Sequence, residues 1–252
     1  MQTNKTKAKL KAGEPVYGCI SRYPDAAFNE FLAWQGWDFI VFDGEHGSLE
    51  PYDIENLVRV AELRDVTPIA RVPTNQPHII LRFLDTGAQG IHVPWVNSGE
   101  EAERVMQAAK YQPRGLRGLA GIRAADYGQT IPLGEYIQQA NAETLIIVHI
   151  ETVEAVDRLD EYLAIDGLDV LFLGPTDLSQ SMGVAGQRTH PDVIAGMSKV
   201  VEATKGTGIA TGTLVSTAEE ALFWREKGLH YIATSVEALL RPSARGFLAD
   251  MR

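Results

Sequence analysis

Short apolar runs rich in β-branched residues alternate along the chain with longer helical stretches. The runs predict strands at Val16–Ile20, Phe39–Phe42, Pro68–Arg71, Gly90–Val93, Leu145–Ile150, Val170–Leu173, Ile209–Leu214 and Tyr231–Thr234. Most are apolar throughout rather than alternating, as strands covered on both faces are. Helices are predicted over stretches that include Asp53–Leu63, His78–Thr86, Glu100–Ala109, Thr152–Leu163, Pro191–Lys205 and Thr217–Lys227. Pro51, Pro77 and Pro191 stand where helices begin, and Gly87, Gly206 and Gly228 where they end. Eight β/α alternations in 252 residues match the size of a (β/α)8 TIM barrel, an α/β fold. A doubly wound open sheet is the second architecture this pattern permits. No Gly-x-Gly-x-x-Gly follows the first strand, which weighs against a dinucleotide-binding version.

One interval breaks the rhythm. From Lys110 to Ala142 about thirty residues separate the fourth and fifth strands, opening with the Gly- and Arg-rich run Tyr111-Gln-Pro-Arg-Gly-Leu-Arg-Gly-Leu-Ala-Gly121. Loops of that length are functional more often than not, so it reads as a connection lying over the C-terminal mouth of the barrel. With no internal repeat or linker, residues 1–252 read as a single barrel domain. Residues 1–13, with Lys5, Lys7, Lys9 and Lys11, read as a flexible tail.

Composition narrows the class. The chain is 45% hydrophobic and 22% charged, enough for a substantial core. A net charge of −10 argues against a nucleic-acid partner, which needs a basic face. No apolar segment follows the N-terminal lysines as in a signal peptide, and no run approaches the length of a membrane span. The lone Cys19 excludes an intrachain disulfide and sits in an apolar run, so it reads as core. The expectation is a soluble, cytoplasmic protein without membrane partners.

In a barrel, chemistry gathers at the C-terminal ends of the strands. Those ends carry Asp43-Gly-Glu-His46 on the second strand, Arg71 on the third, His149-Ile-Glu151 on the fifth and Asp177 after the sixth. The seventh strand ends at Leu214. Glu151 and Asp177 follow buried runs on neighbouring strands and suit a hard divalent cation such as Mg²⁺ or Mn²⁺. Each has a plainer reading, Asp177 as a helix N-cap and Glu151 as a first-turn acid. His46 is the acid–base candidate because imidazole titrates near working pH, with a backbone-bonded turn histidine as the alternative. Arg71 interrupts an apolar strand, a costly place for an unpaired charge, and its position suits contact with an anion. His78, His92, His190 and His230 read as structural or surface residues. Beyond the N-terminal group, the lysines are Lys110, Lys199, Lys205 and Lys227, and none ends a predicted strand. That argues against a Schiff-base mechanism. No Gly-x-Ser-x-Gly nucleophile elbow is present.

Six ordered stretches carry a family likeness. They are Phe42-Asp-Gly-Glu-His-Gly47, Ile69-Ala-Arg-Val-Pro73, Leu84-Asp-Thr-Gly-Ala-Gln-Gly-Ile91, Pro113-Arg-Gly-Leu-Arg-Gly118, His149-Ile-Glu-Thr-Val-Glu-Ala155 and Phe172-Leu-Gly-Pro-Thr-Asp-Leu178. From about Gly18 onward the chain resembles the 4-hydroxy-2-oxoheptanedioate aldolases. These are class II, metal-dependent pyruvate aldolases related to 2-keto-3-deoxy-L-rhamnonate aldolase. The resemblance implies a TIM barrel assembled as a homohexamer, with the last helix exchanged between paired subunits. It implies a lyase that splits 4-hydroxy-2-oxo acids into pyruvate and a small aldehyde through a pyruvate enolate. By the same resemblance, Glu151 and Asp177 hold Mg²⁺, Mn²⁺, Co²⁺, Ni²⁺ or Zn²⁺, and the backbone at Thr176 and Asp177 holds the pyruvate carboxylate. Arg71 stabilises the enolate oxygen, His46 moves protons through water, and Asp85 makes His46 more basic, across a subunit boundary if necessary. Where family members have Gln-Ile-Glu, this chain has His149-Ile150-Glu151. The glutamine is a substrate-binding position, so His149 inherits that role with a proton pattern that glutamine lacks. Leu214 completes the substrate-binding set.

Two other functions fit the same residues. One is a related barrel lyase that uses enolate chemistry on a β-hydroxyacyl thioester or another oxo acid. The other is a non-catalytic barrel that binds an oxo acid, against which the intact set of His46, Arg71, Glu151 and Asp177 argues. Arg117 and Arg123 read either as recognition groups for an acidic aldehyde or as surface ion pairs.

Overall fold

The computed structural model describes residues 1–251. Eight parallel strands close into a barrel in sequence order: β1 Val16–Ser21, β2 Phe39–Asp43, β3 Thr67–Arg71, β4 Gly90–Val93, β5 Leu145–Ile150, β6 Val170–Leu173, β7 Ala210–Leu214 and β8 Tyr231–Ser235. The predicted strands agree with these to within a residue at either end. The helices are α1 Lys5–Lys11, α2 Ala26–Ala33, α3 Pro51–Leu63, α4 Pro77–Asp85, α5 Gly99–Ala109 and α6 Leu133–Glu143. They continue with α7 Val153–Asp157, α8 Leu159–Leu163, α9 Pro175–Ser181, α10 Pro191–Thr204, α11 Ala218–Lys227 and α12 Val236–Asp250. The single helix expected over Thr152–Leu163 is two, because Arg158 leaves helical geometry at φ −106°, ψ 24°.

Strand side chains alternate between two cores. Ile40, Phe42, Ile146, Val148 and Leu171 face the helices. Val16, Phe39, Val41, Ile69, Leu145, Ile147, Val170, Phe172 and Tyr231 fill the interior. Two inward positions are glycine because a neighbouring aromatic residue takes the space. A Cβ at Gly18 would lie 2.2 Å from the Phe39 ring, and one at Gly212 would lie 2.5 Å from the Tyr231 carbonyl oxygen. Cys19 is fully buried among the outward residues, and burial pushes its thiol up to about 12, as befits a core residue.

Two expectations are corrected. Residues 1–13 are not a loose tail: α1 lies against the N-terminal end of the barrel. Asn4 caps it and donates through Nδ2 to the carbonyls of Gln89 and Glu143 at 2.9 and 3.0 Å. Lys7 Nζ is buried and donates to the Thr144 carbonyl at 2.8 Å and to Asp169 Oδ2 at 2.9 Å. Alternate lysines made the segment look solvated, but one of them answers an acid presented by the loop before β6.

The long β4–β5 connection does not cover the mouth either. The loop that leaves β4 at the mouth is short, since α5 begins at Gly99. The extra residues follow α5, on the return toward the N-terminal ends of the strands. There Lys110 Nζ donates to the carbonyls of Asn141 and Thr144, both at 2.8 Å. The segment then passes α4 and α5, makes a 3-10 turn at Arg123–Gly128 and enters α6.

The Lys7–Asp169 pair is the latch of α1. Breaking a buried pair by removing one partner costs about 3–5 kcal/mol, so Lys7→Ala is expected to lower unfolding free energy by about that much in urea titrations. A loss below about 1 kcal/mol would mean that the helix is not latched by this contact.

Candidate active site

The site is built by the alternation of the strands. Asp43, Arg71, His92 and His149 share the inward parity of the interior residues, and all four are buried. Asp43 and Arg71 are register partners across β2 and β3. Arg71 Nε and Nη2 donate to Asp43 Oδ1 and Oδ2 at 2.7 and 2.6 Å, a two-pronged pair. Arg22 Nε adds a third donor to Asp43 at 2.9 Å. The amides of Glu45 and His46 donate to Asp43 Oδ1 at 3.0 and 3.2 Å, so the same carboxylate also folds the turn after β2. Burial alone would raise the Asp43 carboxyl, but Arg71 and Arg22 outweigh it and hold the group well below the usual carboxylate range.

Glu45 lies between Arg71 and His46. Its Oε2 is 3.2 Å from Arg71 Nη1 and 3.8 Å from His46 Nε2. Burial raises its carboxyl to about 7, helped by the charges of Glu151 and Asp43 and opposed by Arg71 and His46. His46 is more than half exposed, facing the mouth solvent.

Glu151 follows β5 and is 4% exposed. The Trp95 amide donates to Oε1 at 2.7 Å, and His149 Nδ1 is 3.3 Å from Oε2. Trp95 adopts φ 54°, a left-handed conformation uncommon for a large side chain, in the loop that carries this amide. Burial pushes the Glu151 carboxyl up, yet the His149 and Trp95 hydrogen bonds and Arg71 keep it below its ordinary value. Asp177 sits in the first turn of α9 with no basic partner among the described residues. Its carboxyl is raised, first by burial and then by the charge of Glu151. Two carboxylates that repel one another at a barrel mouth are an oxygen donor set matched to a hard divalent cation. Among the described residues no group of three or more His, Cys, Asp or Glu forms a complete cage. The remaining positions around a cation would therefore fall to water or substrate oxygens.

The other expected residues divide by location. Thr176 is the second residue of α9, beside Asp177, where first-turn amides have no acceptor within the helix. Leu214 ends β7, packs on the interior core and accepts from Arg188 Nη2 through its carbonyl at 2.7 Å. Asp85 is elsewhere. It is the last residue of α4, at the opposite end of the barrel from His46, and Arg117 Nη2 donates to it at 2.7 Å. Arg123 pairs with Glu62 and donates to the Thr86 carbonyl at 2.9 Å. Neither arginine reaches this chain's own mouth, which removes their role in aldehyde recognition within one subunit. Sequence reasoning passed over Asp43 as the partner of Arg71, the Trp95 amide, and His92. A charge or an imidazole inside an apolar strand was the available signal in each strand case.

This combination defines a barrel enzyme with an acid- and arginine-lined mouth. Residues 21–241 match the family described as HpcH/HpaI aldolase/citrate lyase. Hydroxypyruvate/pyruvate aldolase of Roseovarius nubinhibens is 34% identical over 99% of this chain and 97% of its own length. 5-Keto-4-deoxy-D-glucarate aldolase of an Enterobacter species is 35% identical over 98% and 96%. The crystal structure of a Burkholderia cenocepacia protein of the same family superposes with a TM-score of 0.93 at 32% identity, covering 99% of this chain and 100% of that one. The chain belongs to the HpcH/HpaI aldolase/citrate lyase family. It is accordingly a carbon–carbon lyase of the aldolase type.

Asp43 and Glu45 give the mouth opposite pH responses. The depressed Asp43 contributes stability that is present above its ordinary 3.8 and lost as pH falls below it. The raised Glu45 contributes stability that is present below its ordinary 4.5 and lost as pH rises through about 7. Asp43→Asn is expected to cost about 3–5 kcal/mol at pH 7, because it removes the two-pronged counter-charge of buried Arg71. Glu45→Gln is expected to flatten the stability loss between pH 4.5 and about 7, the window set by the raised group. Denaturant unfolding across pH checks both, and an Asp43→Asn protein as stable as wild type would refute the pairing argument.

Proposed function

We propose that the protein is a class II pyruvate aldolase that reversibly cleaves 4-hydroxy-2-oxo acids to pyruvate and a small aldehyde. The observation that carries this reading is the facing of Arg71 and the Glu151–Asp177 carboxylate pair at one mouth, with His46 at its rim. A divalent cation held by Glu151 and Asp177, Mg²⁺ or Mn²⁺ in the first instance, would supply Lewis-acid polarisation of the keto oxygen. The first-turn amides of Thr176 and Asp177 bind the pyruvate carboxylate. His149 and Leu214 flank the substrate.

Cleavage breaks the C3–C4 bond. His46, through water, takes the proton from the C4 hydroxyl as the aldehyde carbonyl forms, and the bonding pair passes into pyruvate as its enolate. Arg71, held in place by Asp43, stabilises the negative charge that develops on the enolate oxygen. Protonation at C3 then releases pyruvate. Condensation runs the same transfers backwards. Asp85 of a neighbouring subunit would be the acid that supports His46, since its own His46 is out of reach.

The assembly we propose is a cytoplasmic homohexamer. No helix among the described residues is long and apolar enough to cross a membrane. Helix α12 buries only Val236 and leaves Leu240, Phe247 and Leu248 exposed. Beside its start, Tyr17, Trp37, Ala221 and Ile232 line a groove of about 190 Å³. An exchanged helix from a second copy would satisfy both surfaces. Truncation after Ser235 is expected to yield smaller species in sedimentation velocity, and an unchanged sedimentation coefficient distribution beyond the lost mass would argue against exchange.

The direct test of the chemistry uses pyruvate alone. In D₂O with Mn²⁺ or Mg²⁺, the methyl protons of pyruvate are expected to exchange, followed by NMR, and EDTA is expected to stop it. Glu151→Gln should lower the rate at least about 100-fold, and His46→Ala about 10²–10⁴-fold in cleavage of a hydroxy-oxo acid. Exchange that persists after verified removal of metal would exclude the class II mechanism.

A further inference from the structure

Behind Glu151 the barrel interior holds a continuous line of buried polar side chains. Tyr231 Oη is 2.8 Å from His92 Nε2, and His92 Nδ1 is 2.9 Å from His149 Nε2. His149 Nδ1 in turn is 3.3 Å from Glu151 Oε2. Their exposures run 0%, 0%, 2% and 4% from Tyr231 to Glu151. The walls are aromatic: Phe39 stacks on Tyr231 with centroids 4.2 Å apart, and Phe172 packs against His92 at 4.9 Å and His149 at 5.0 Å. Among the described residues, these imidazole nitrogens and the phenol have no other hydrogen-bond partner.

With both rings neutral, the chemistry of the two ends fixes the direction of every link. An ionised carboxylate only accepts, so His149 must carry its proton on Nδ1. A neutral imidazole has one N–H, which leaves His149 Nε2 as an acceptor. His92 then donates from Nδ1 and accepts at Nε2, and the Tyr231 hydroxyl donates to it. Each donor meets one acceptor, and nothing polar is left over. Reversing the line would turn the His149 Nδ1 lone pair against the Glu151 carboxylate and leave the phenol proton in an apolar pocket, a cost of the kind buried polar groups avoid. Because the line ends blind at Tyr231, it leads no proton to solvent. Its effect is orientation.

We propose that His92 and Tyr231 are positioning residues that act through His149, holding it in the tautomer that donates to Glu151 and so fixing the carboxylate in its cation-binding pose. The proposal rests on the reading of Glu151 as a cation ligand.

The test begins with ¹⁵N-histidine-labelled, metal-free wild-type protein. Two-bond ¹H–¹⁵N correlation spectra, assigned with His92→Gln and His149→Gln, are expected to show both rings neutral with the proton on Nδ1. Mn²⁺ affinity is then read from the EPR signal of free Mn²⁺. Tyr231→Phe removes only the hydroxyl; it is expected to mix the tautomers of His92 and His149 and to weaken Mn²⁺ binding about tenfold, the lower end for partners behind a metal ligand. Near-UV circular dichroism should stay unchanged. A proton on Nε2 of either ring in the wild type would overturn the proposal without any variant. So would a Tyr231→Phe protein with wild-type tautomers and wild-type affinity. Wild-type protein that shows the expected tautomers but fails to bind Mn²⁺ would overturn the cation reading of Glu151, and the proposal's last link with it, while leaving the hydrogen-bond line in place.

Discussion

The buried pair of Asp43 and Arg71 is the contact on which the mouth depends. A guanidinium inside a barrel is tolerable only with a counter-charge and filled hydrogen bonds, since desolvating either ion alone costs several kcal/mol on the scale of about 3–5. Asp43 meets both needs with two parallel bonds from Arg71 and a third from Arg22. The same carboxylate takes the amides of Glu45 and His46, so the turn that presents His46 is anchored to the group that neutralises the arginine. Placement of Arg71 and placement of His46 are thus one structural event.

Closure of the sheet explains why so many functional groups converge. In an eight-stranded parallel barrel every second side chain points to the axis. The lower inward positions are apolar and large, with Phe39 and Tyr231 accommodated opposite glycines. Toward the C-terminal ends the inward positions become Asp43, Arg71, His92 and His149. The interior thus grades from a dry floor to a charged mouth, and the carboxylates Glu151 and Asp177 sit at the edge, where burial and then repulsion from Glu151 raise Asp177. The proposed mechanism uses this layout, with negative charge for a cation next to positive charge for an oxyanion and rigid strands keeping them apart. The family membership of the chain and its likeness to aldolases run along nearly its whole length.

The opposite end of the barrel has its own construction. Helix α1 and the segment after α5 together bring Asn4, Lys7 and Lys110 to the backbone carbonyls just before β5. They close the floor that the strands leave open. These lysines serve structure, consistent with a reaction that needs no amine.

Local pattern determined the eight strands, the barrel, the absence of a lysine at the strand ends, and the carboxylates, arginine and histidine of the mouth. It could do so because a strand buried on both faces reads as an apolar run whatever its neighbours are, and a charge that ends such a run is conspicuous. What the tertiary structure decided is pairing and side. Sequence proximity left the partner of Asp43 open; it is the counter-ion of Arg71, because register across β2 and β3 sets them opposite one another. Lys7 looked solvated until the fold brought Asp169 to it. The long connection looked like a mouth feature, yet it follows the C-terminal end of α5, and Asp85 ends α4, both on the far side of the barrel. His92 looked inert until closure of the sheet aligned it between His149 and Tyr231, residues 57 and 139 positions away along the chain. Spacing along a sequence carries no record of such distances, which exist only once the last strand pairs with the first.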